Sequence, residues 1–193
     1  IDASPKMVFE AKKRCPEARI ELGSMREFDL KSTYETLLCF GSTFLYNHSN
    51  EEIMATLKAF RKHLSPAGVL AMEMRNAAYF LTPEGQSTLG SDRHSSTPTS
   101  EGYMKCTSRF EIDTARQLLN RSYTWFLPQG GVREEFLQHR LIFPQEMRTY
   151  LEISGYETVL MFDSPVPAAG EAFDPEAGVS EDLSGYRLHV IAK

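Results

Sequence analysis

The chain has 193 residues, 41% apolar and 24% charged, with a net charge of −5. That is the balance of a globular domain with one sizeable core, and its sign argues against a nucleic-acid backbone or an anionic membrane as the main partner. Cys15, Cys39 and Cys106 are scattered without CxxC or His/Cys ligand spacing, which gives neither a disulfide framework nor a metal site and fits a reduced, cytoplasmic setting; no apolar run approaches the roughly 20 residues of a membrane span.

In chain order, Ile1-Asp2 reads as the end of a buried strand, followed by Ser4 as N-cap and Pro5 as the first residue of a helix. Met7, Val8 and Ala11 recur at helical spacing as far as Arg14, and Pro16 stops the pattern. ARIEL (18–22) predicts a short strand closed by Gly23, and YETLLCF (34–40) a more apolar strand closed by Gly41. Asn50 is expected to cap a helix whose Ile53, Met54, Leu57, Phe60 and Leu64 form one stripe. SPAG (65–68) reads as a turn and VLAMEM (69–74) as the next strand. An α-β-β-α-β order with buried strands predicts a parallel sheet covered by helices. Residues 81–102 are rich in Ser, Thr, Gly and Pro without a period, and predict a flexible loop. Three β-type runs follow, at 103–112, 117–127 and 132–143, separated by turn signals, so 103–143 is expected to be an inserted antiparallel β cap. Pro144 opens a helix (Met147, Tyr150, Leu151) ended by Gly155; 156–162 is a strand, 164–185 a polar loop and 186–193 a closing strand.

The pieces IDASPKM, GSMREFDL, LLCFGSTFLYNHSNEEIMATLKAFRKHLSPAGVLAMEM, HRLIFPQEMRTYLEISGYE and RLHVIAK, in this order, resemble the class I S-adenosylmethionine-dependent methyltransferases. The β-rich insert resembles the subgroup that N-methylates amino sugars and other small amines. The resemblance implies an α/β, Rossmann-like sheet, mostly parallel with the last strand antiparallel. Its core would be 1–80 and 144–193. It also implies a first strand and a glycine-rich loop ahead of Ile1, absent from this sequence, so an N-terminally truncated unit is expected. A small-molecule acceptor, S-adenosyl-L-methionine as donor and S-adenosyl-L-homocysteine as product are expected, with no nucleic acid or membrane partner; a homodimer is the one protein assembly entertained.

The resemblance also implies site residues. Asp2, with Ala3 beside it, would hold the ribose hydroxyls of the cofactor, against the plain alternative of an exposed acid. Met7 and Met25 would flank the adenine, with core packing as the alternative for Met7. Ser24 stands where the family usually has an Asp for the adenine amino group, and Arg26 would offer its backbone amide or else be a surface arginine. Phe40, Gly41 and Ser42 would lie beside the methionine part, Gly41 allowing close backbone approach. Tyr46 and His48 are the catalytic candidates, a phenol to align an amine and an imidazole suited to base work, the latter against an exposed loop histidine. Glu73 and Arg75 would meet the acceptor or form a strand-end ion pair. In the cap, Arg121, Tyr123, Trp125, His139 and Arg140 alternate with apolar residues, and Trp125 and Arg140 are expected on the substrate, with core packing the alternative for Trp125. Two rivals remain: a nicotinamide-dependent oxidoreductase, and a catalytically inactive methyltransferase-like binding module.

Overall fold

The computed structural model describes residues 1–163 and 179–193. Helix α1 (Pro5–Arg14) starts where the Ser4 hydroxyl accepts the Met7 amide at 3.4 Å, with Pro5 at its first position and Lys12, Lys13 and Arg14 on its carbonyl end. The ARIEL strand reduces to one parallel bridge, Asp2 with Leu22. Strand β1 (Tyr34–Cys39) forms as expected. Helix α2 (Asn50–Lys62) is capped one residue earlier than expected. The Ser49 hydroxyl accepts the Glu52 amide at 3.3 Å, and the Glu52 carboxylate accepts the Ser49 amide at 3.2 Å, a reciprocal capping box. Asn50 instead accepts the Tyr150 hydroxyl at 2.7 Å.

Strand β2 (Leu64–Arg75) runs straight through the expected SPAG turn. The turn survives as a bulge: Tyr34 pairs with Leu64 and Thr36 already with Val69. Gly68 lets the backbones close up, since a side chain there would begin 2.9 Å from the Tyr34 carbonyl. The first sheet has the order β1-β2-β8-β7, with β7 (Thr158–Asp163) and β8 (Arg187–Ala192). β1 and β2 are parallel, and β8 is antiparallel to both β2 and β7. The carboxyl ends of β1, β2 and β7 therefore share an edge with the start of β8. Helices α2 and α4 (Pro144–Ile153) pack on this sheet, and Leu57, Phe60, Leu70, Met72, Met147, Leu151, Leu188 and Val190 fill the core.

The segment 81–102 is not a loop. Thr82 caps a short helix α3 (Pro83–Ser87), and Arg93–Thr99 is strand β3. Every residue of β3 is exposed, so no apolar alternation marks it; its pairing comes from the backbone of β4 (Gly102–Asp113), and Pro98 suits an outer strand. With β5 (Leu118–Phe126) and β6 (Val132–Arg140) it makes a four-stranded antiparallel sheet, β3-β4-β5-β6. A second apolar cluster joins the sheets: Ala77, Tyr79 and Phe80 after β2 meet Phe110, Leu119 and Leu141 of the cap. Of the expected polar loop 164–185, residues 164–178 lie outside the described residues, and Ser180 bridges to Asp163. Among the described residues no helix is long and apolar enough to cross a membrane, and no three metal-ligating side chains converge.

Candidate functional site

The turn after β1 is the centre of the shared edge. Gly41 has φ +70° and Ser42 φ 63°, a pair of left-handed residues that folds the chain back sharply. The Gly41 amide donates to the Glu73 carboxylate at 2.8 Å, and that carboxylate also pairs with Arg187 at 3.0 Å. Ser42, 2% exposed, accepts the Arg75 amide at 2.9 Å and the Arg187 guanidinium at 2.8 Å through its hydroxyl. The turn is thus pinned to β2 and β8 by charge-assisted bonds. No atom lies within 4 Å of where a side chain at Gly41 would begin, so its outer face is open.

Asn47 holds the next stretch. It is fully buried and satisfied: its carbonyl oxygen accepts Arg26 Nε and the Thr56 hydroxyl, each at 3.0 Å, and its amide donates to the Phe44 carbonyl at 3.0 Å. This fixes Tyr46 and His48 toward the cap. The Tyr46 ring meets His139 edge-on, centroids 4.8 Å apart, and its hydroxyl has no partner among the described residues. His48 Nε2 lies 3.0 Å from the Gln138 carbonyl. A carbonyl only accepts, so Nε2 carries the proton and Nδ1 is the nitrogen left to accept one. His139 is 2% exposed. Burial, and then the Arg121 guanidinium beside it, push its pKa down to about 3, so it is a neutral imidazole.

The other expected site residues divide. Asp2, Met25 and Phe40 come together on a cavity of about 310 Å3 that runs along β1 past Leu38 to Thr43. Asp2 is exposed, and one carboxylate oxygen accepts the Ser4 amide at 2.8 Å. The cavity is as long as the strand, and Leu38 is 60% exposed along it. Ala3 is exposed beside Asp2. Met7 is not core: it is 57% exposed on α1. The Arg26 amide, expected to be available, donates to the Ser24 hydroxyl at 3.2 Å, and its guanidinium pairs with Glu52 at 3.1 Å. Trp125 stacks on Tyr123 at 5.8 Å, on the same cap face as Arg121 and Phe110, half-buried rather than core. Arg140 is a correction. It falls on the opposite cap face from His139 and Arg121, buried, paired with Glu146 at 2.9 Å and donating to the Leu141 carbonyl at 3.1 Å. Neighbouring strand residues face opposite ways, so His139 and Arg140 cannot share a face.

Arg187 and Tyr186 are not among the residues expected from the sequence. Arg75, 5% exposed, stacks on the Tyr186 ring at 4.6 Å and bonds its hydroxyl. The YR pair opening the last strand was the available signal, legible only once β8 is known to lie antiparallel beside β2.

No known protein-family model matches the chain. A 73-residue stretch is 33% identical to a dTDP-3-amino-3,4,6-trideoxy-alpha-D-glucopyranose N,N-dimethyltransferase of Streptomyces venezuelae, covering 38% of this chain and 31% of that relative. The match therefore spans less than a third of the relative's length. Among solved structures, an S-adenosylmethionine-dependent methyltransferase from Clostridium acetobutylicum superposes with a TM-score of 0.75 at 14% identity, over 99% of this chain and 72% of the other. An amino pentose methyltransferase from Micromonospora echinaspora, solved with S-adenosylmethionine bound, gives 0.72 at 20% identity, over 98% and 70%. With β1 parallel to β2 and β8 reversed between β2 and β7, the chain has the Rossmann-like fold of the S-adenosylmethionine-dependent methyltransferases.

Proposed function

We propose that this chain serves the transfer of a methyl group from S-adenosyl-L-methionine to an amine nitrogen of a nucleotide-linked amino sugar, with S-adenosyl-L-homocysteine as product. The observation that carries the proposal is the Gly41-Ser42 turn. It is anchored from behind by Glu73 and Arg187, open in front, and followed in the chain by Tyr46, whose ring meets His139 of the cap. The donor supplies an electrophilic methyl group on a sulfonium, so the protein's work is alignment and exclusion of water. In this reading Asp2, held at its bridge to Leu22, would accept from ribose hydroxyls, and Met25 and Phe40 would offer faces for a purine. The unpartnered Tyr46 hydroxyl would hold the acceptor amine in line with its lone pair free. The proton released after transfer would leave through Tyr46 or through Nδ1 of His48. Asp2 keeps a second carboxylate oxygen beside the one that accepts the Ser4 amide, and the Ser24 hydroxyl already accepts the Arg26 amide.

A finer proposal concerns the long cavity. Its length along β1 and the exposed Leu38 and Phe40 suit a β-strand laid between β1 and the Asp2–Leu22 bridge, with a glycine-rich turn at its carboxyl end. In this proposal the reaction would run in a reducing cytoplasm, in keeping with the free Cys15, Cys39 and Cys106.

Isothermal titration of the full chain with S-adenosylhomocysteine and with NADH tests the proposal. S-adenosylhomocysteine should bind, and Asp2→Ala should weaken it ten-fold or more, about 1.4 kcal/mol. Binding of NADH instead would sink the proposal in favour of an oxidoreductase; binding of neither would favour the inactive module.

A further inference from the structure

Three guanidinium groups converge where the cap meets the first sheet. Arg75 ends β2, Arg187 opens β8 directly opposite it, and Arg121 reaches over from β5. Arg75 and Arg121 flank the same Phe110 ring, at 5.6 and 5.7 Å. Among the described residues one carboxylate stands in this cluster, Glu73, and it is already committed to Arg187 and the Gly41 amide. Arg75 and Arg121 have only neutral partners: the Tyr186 hydroxyl and ring for the first, the Tyr123 hydroxyl and neutral His139 for the second. The Nε atoms of both are buried with no hydrogen-bond partner among the described residues. Arg75 is 5% exposed, so bulk water answers little of its charge, and the half-buried Arg121 is the accessible end of the cluster. Burial, with Arg121 and Arg187 nearby, pushes its pKa down to about 9, the mark of positive charge gathered without a counterion.

We propose that Arg75 and Arg121, backed by Arg187, form a subsite for the diphosphate of the acceptor, held across the seam between the cap and the first sheet. The chemistry is specific to this arrangement. A guanidinium fork matches phosphate oxygens in pairs, and an unfilled Nε–H is one prong of that fork. Two forks from separate sheets span more than one small anion, which suits two linked phosphoryl groups. The Ser42 hydroxyl, bonded to both the Arg75 amide and the Arg187 guanidinium, puts the subsite next to the open turn, so a diphosphate there would present the attached sugar to Tyr46. The identity of the acceptor rests on the methyltransferase proposal; the anion subsite does not.

The test is calorimetric titration of the full chain with inorganic pyrophosphate, in the absence and presence of saturating S-adenosylhomocysteine. Wild type, Arg121→Gln and Arg75→Gln are compared with Arg109→Gln, an exposed arginine on the other cap face. Pyrophosphate should bind wild type and Arg109→Gln alike, and at least ten-fold more weakly to Arg121→Gln, whose S-adenosylhomocysteine affinity should not change. If Arg75→Gln does not fold, the half-buried Arg121 carries the comparison. No binding to wild type, or binding to both seam variants as tight as to wild type, overturns the subsite. Displacement of pyrophosphate by S-adenosylhomocysteine overturns it too, by giving the site to the cofactor's carboxylate. Arginine-dependent pyrophosphate binding without any S-adenosylhomocysteine binding supports the subsite while removing the methyltransferase proposal.

Discussion

His139 sits almost without solvent between Arg121 and the Tyr46 ring, and its surroundings fix its charge. Arg121, Arg75, His48 and Arg187 all face it, and each disfavours a second positive charge. Its pKa falls from the ordinary 6.5 to about 3 in the folded chain. The sign follows from linkage. Between those values the unfolded chain takes up a proton that the folded chain refuses, so stability is lost as pH drops from 6.5 toward 3 and the loss is complete below. From pH 7 to pH 5 the protonation of an ordinary histidine accounts for about 2 kcal/mol. Urea unfolding at the two pH values should therefore show wild type losing about 2 kcal/mol more than His139→Gln, carboxylate effects being common to both. Equal losses would mean that His139 is protonated in the folded chain, and the cation cluster around it would need redrawing.

At the scale of elements, local chemistry decides where structure starts. The Ser49–Glu52 box satisfies two amides at the start of α2 and fixes the chain direction just after Tyr46 and His48. Ser49→Ala removes one side of the box and should cost about 1 kcal/mol in urea unfolding; Asn50→Ala, at the position the sequence suggested, should act through the lost Tyr150 bond instead. Elements with a buried face were legible: α2, β2 and the cap strands β4, β5 and β6 all carry apolar periodicity. β3 was not, because both of its faces are exposed and its order comes from β4. SPAG looked like a turn because Pro and Gly do punctuate chains, yet here they make a bulge inside a longer strand. The same division holds in the site. Gly41, Ser42 and Tyr46 follow β1 and Glu73 lies near the end of β2, places the strand pattern marks, while the roles proposed for them come from the resemblance. Arg140 was misplaced by the one-residue alternation of a strand, and Arg187 and the closeness of Arg75 to Arg121 depend on strand order and cap placement, which no local pattern carries.

At the scale of the molecule, the two sheets share no strand pairing, so the cap is joined to the rest by side chains at the seam. That seam is apolar as well as cationic. Tyr79 and Phe80, just after β2, and Tyr186, just before β8, pack against Phe110, Leu119, Leu141 and Tyr123. Opening the cap alone would expose the first group as well as the second, so cap and core should unfold together although their strand ladders are separate. Hydrogen exchange along a urea series tests this. The central amides of β5 and β2 should lose protection over the same denaturant range. Phe110, 6% exposed, is the hinge of the argument because it also carries the stacking of Arg75, Arg93 and Arg121. Phe110→Ala should cost about 3 kcal/mol and move both transitions. Loss of protection in β5 at lower urea, with β2 unmoved, would make the cap an independent unit, and the arginine seam would then be a surface that forms only when the cap closes.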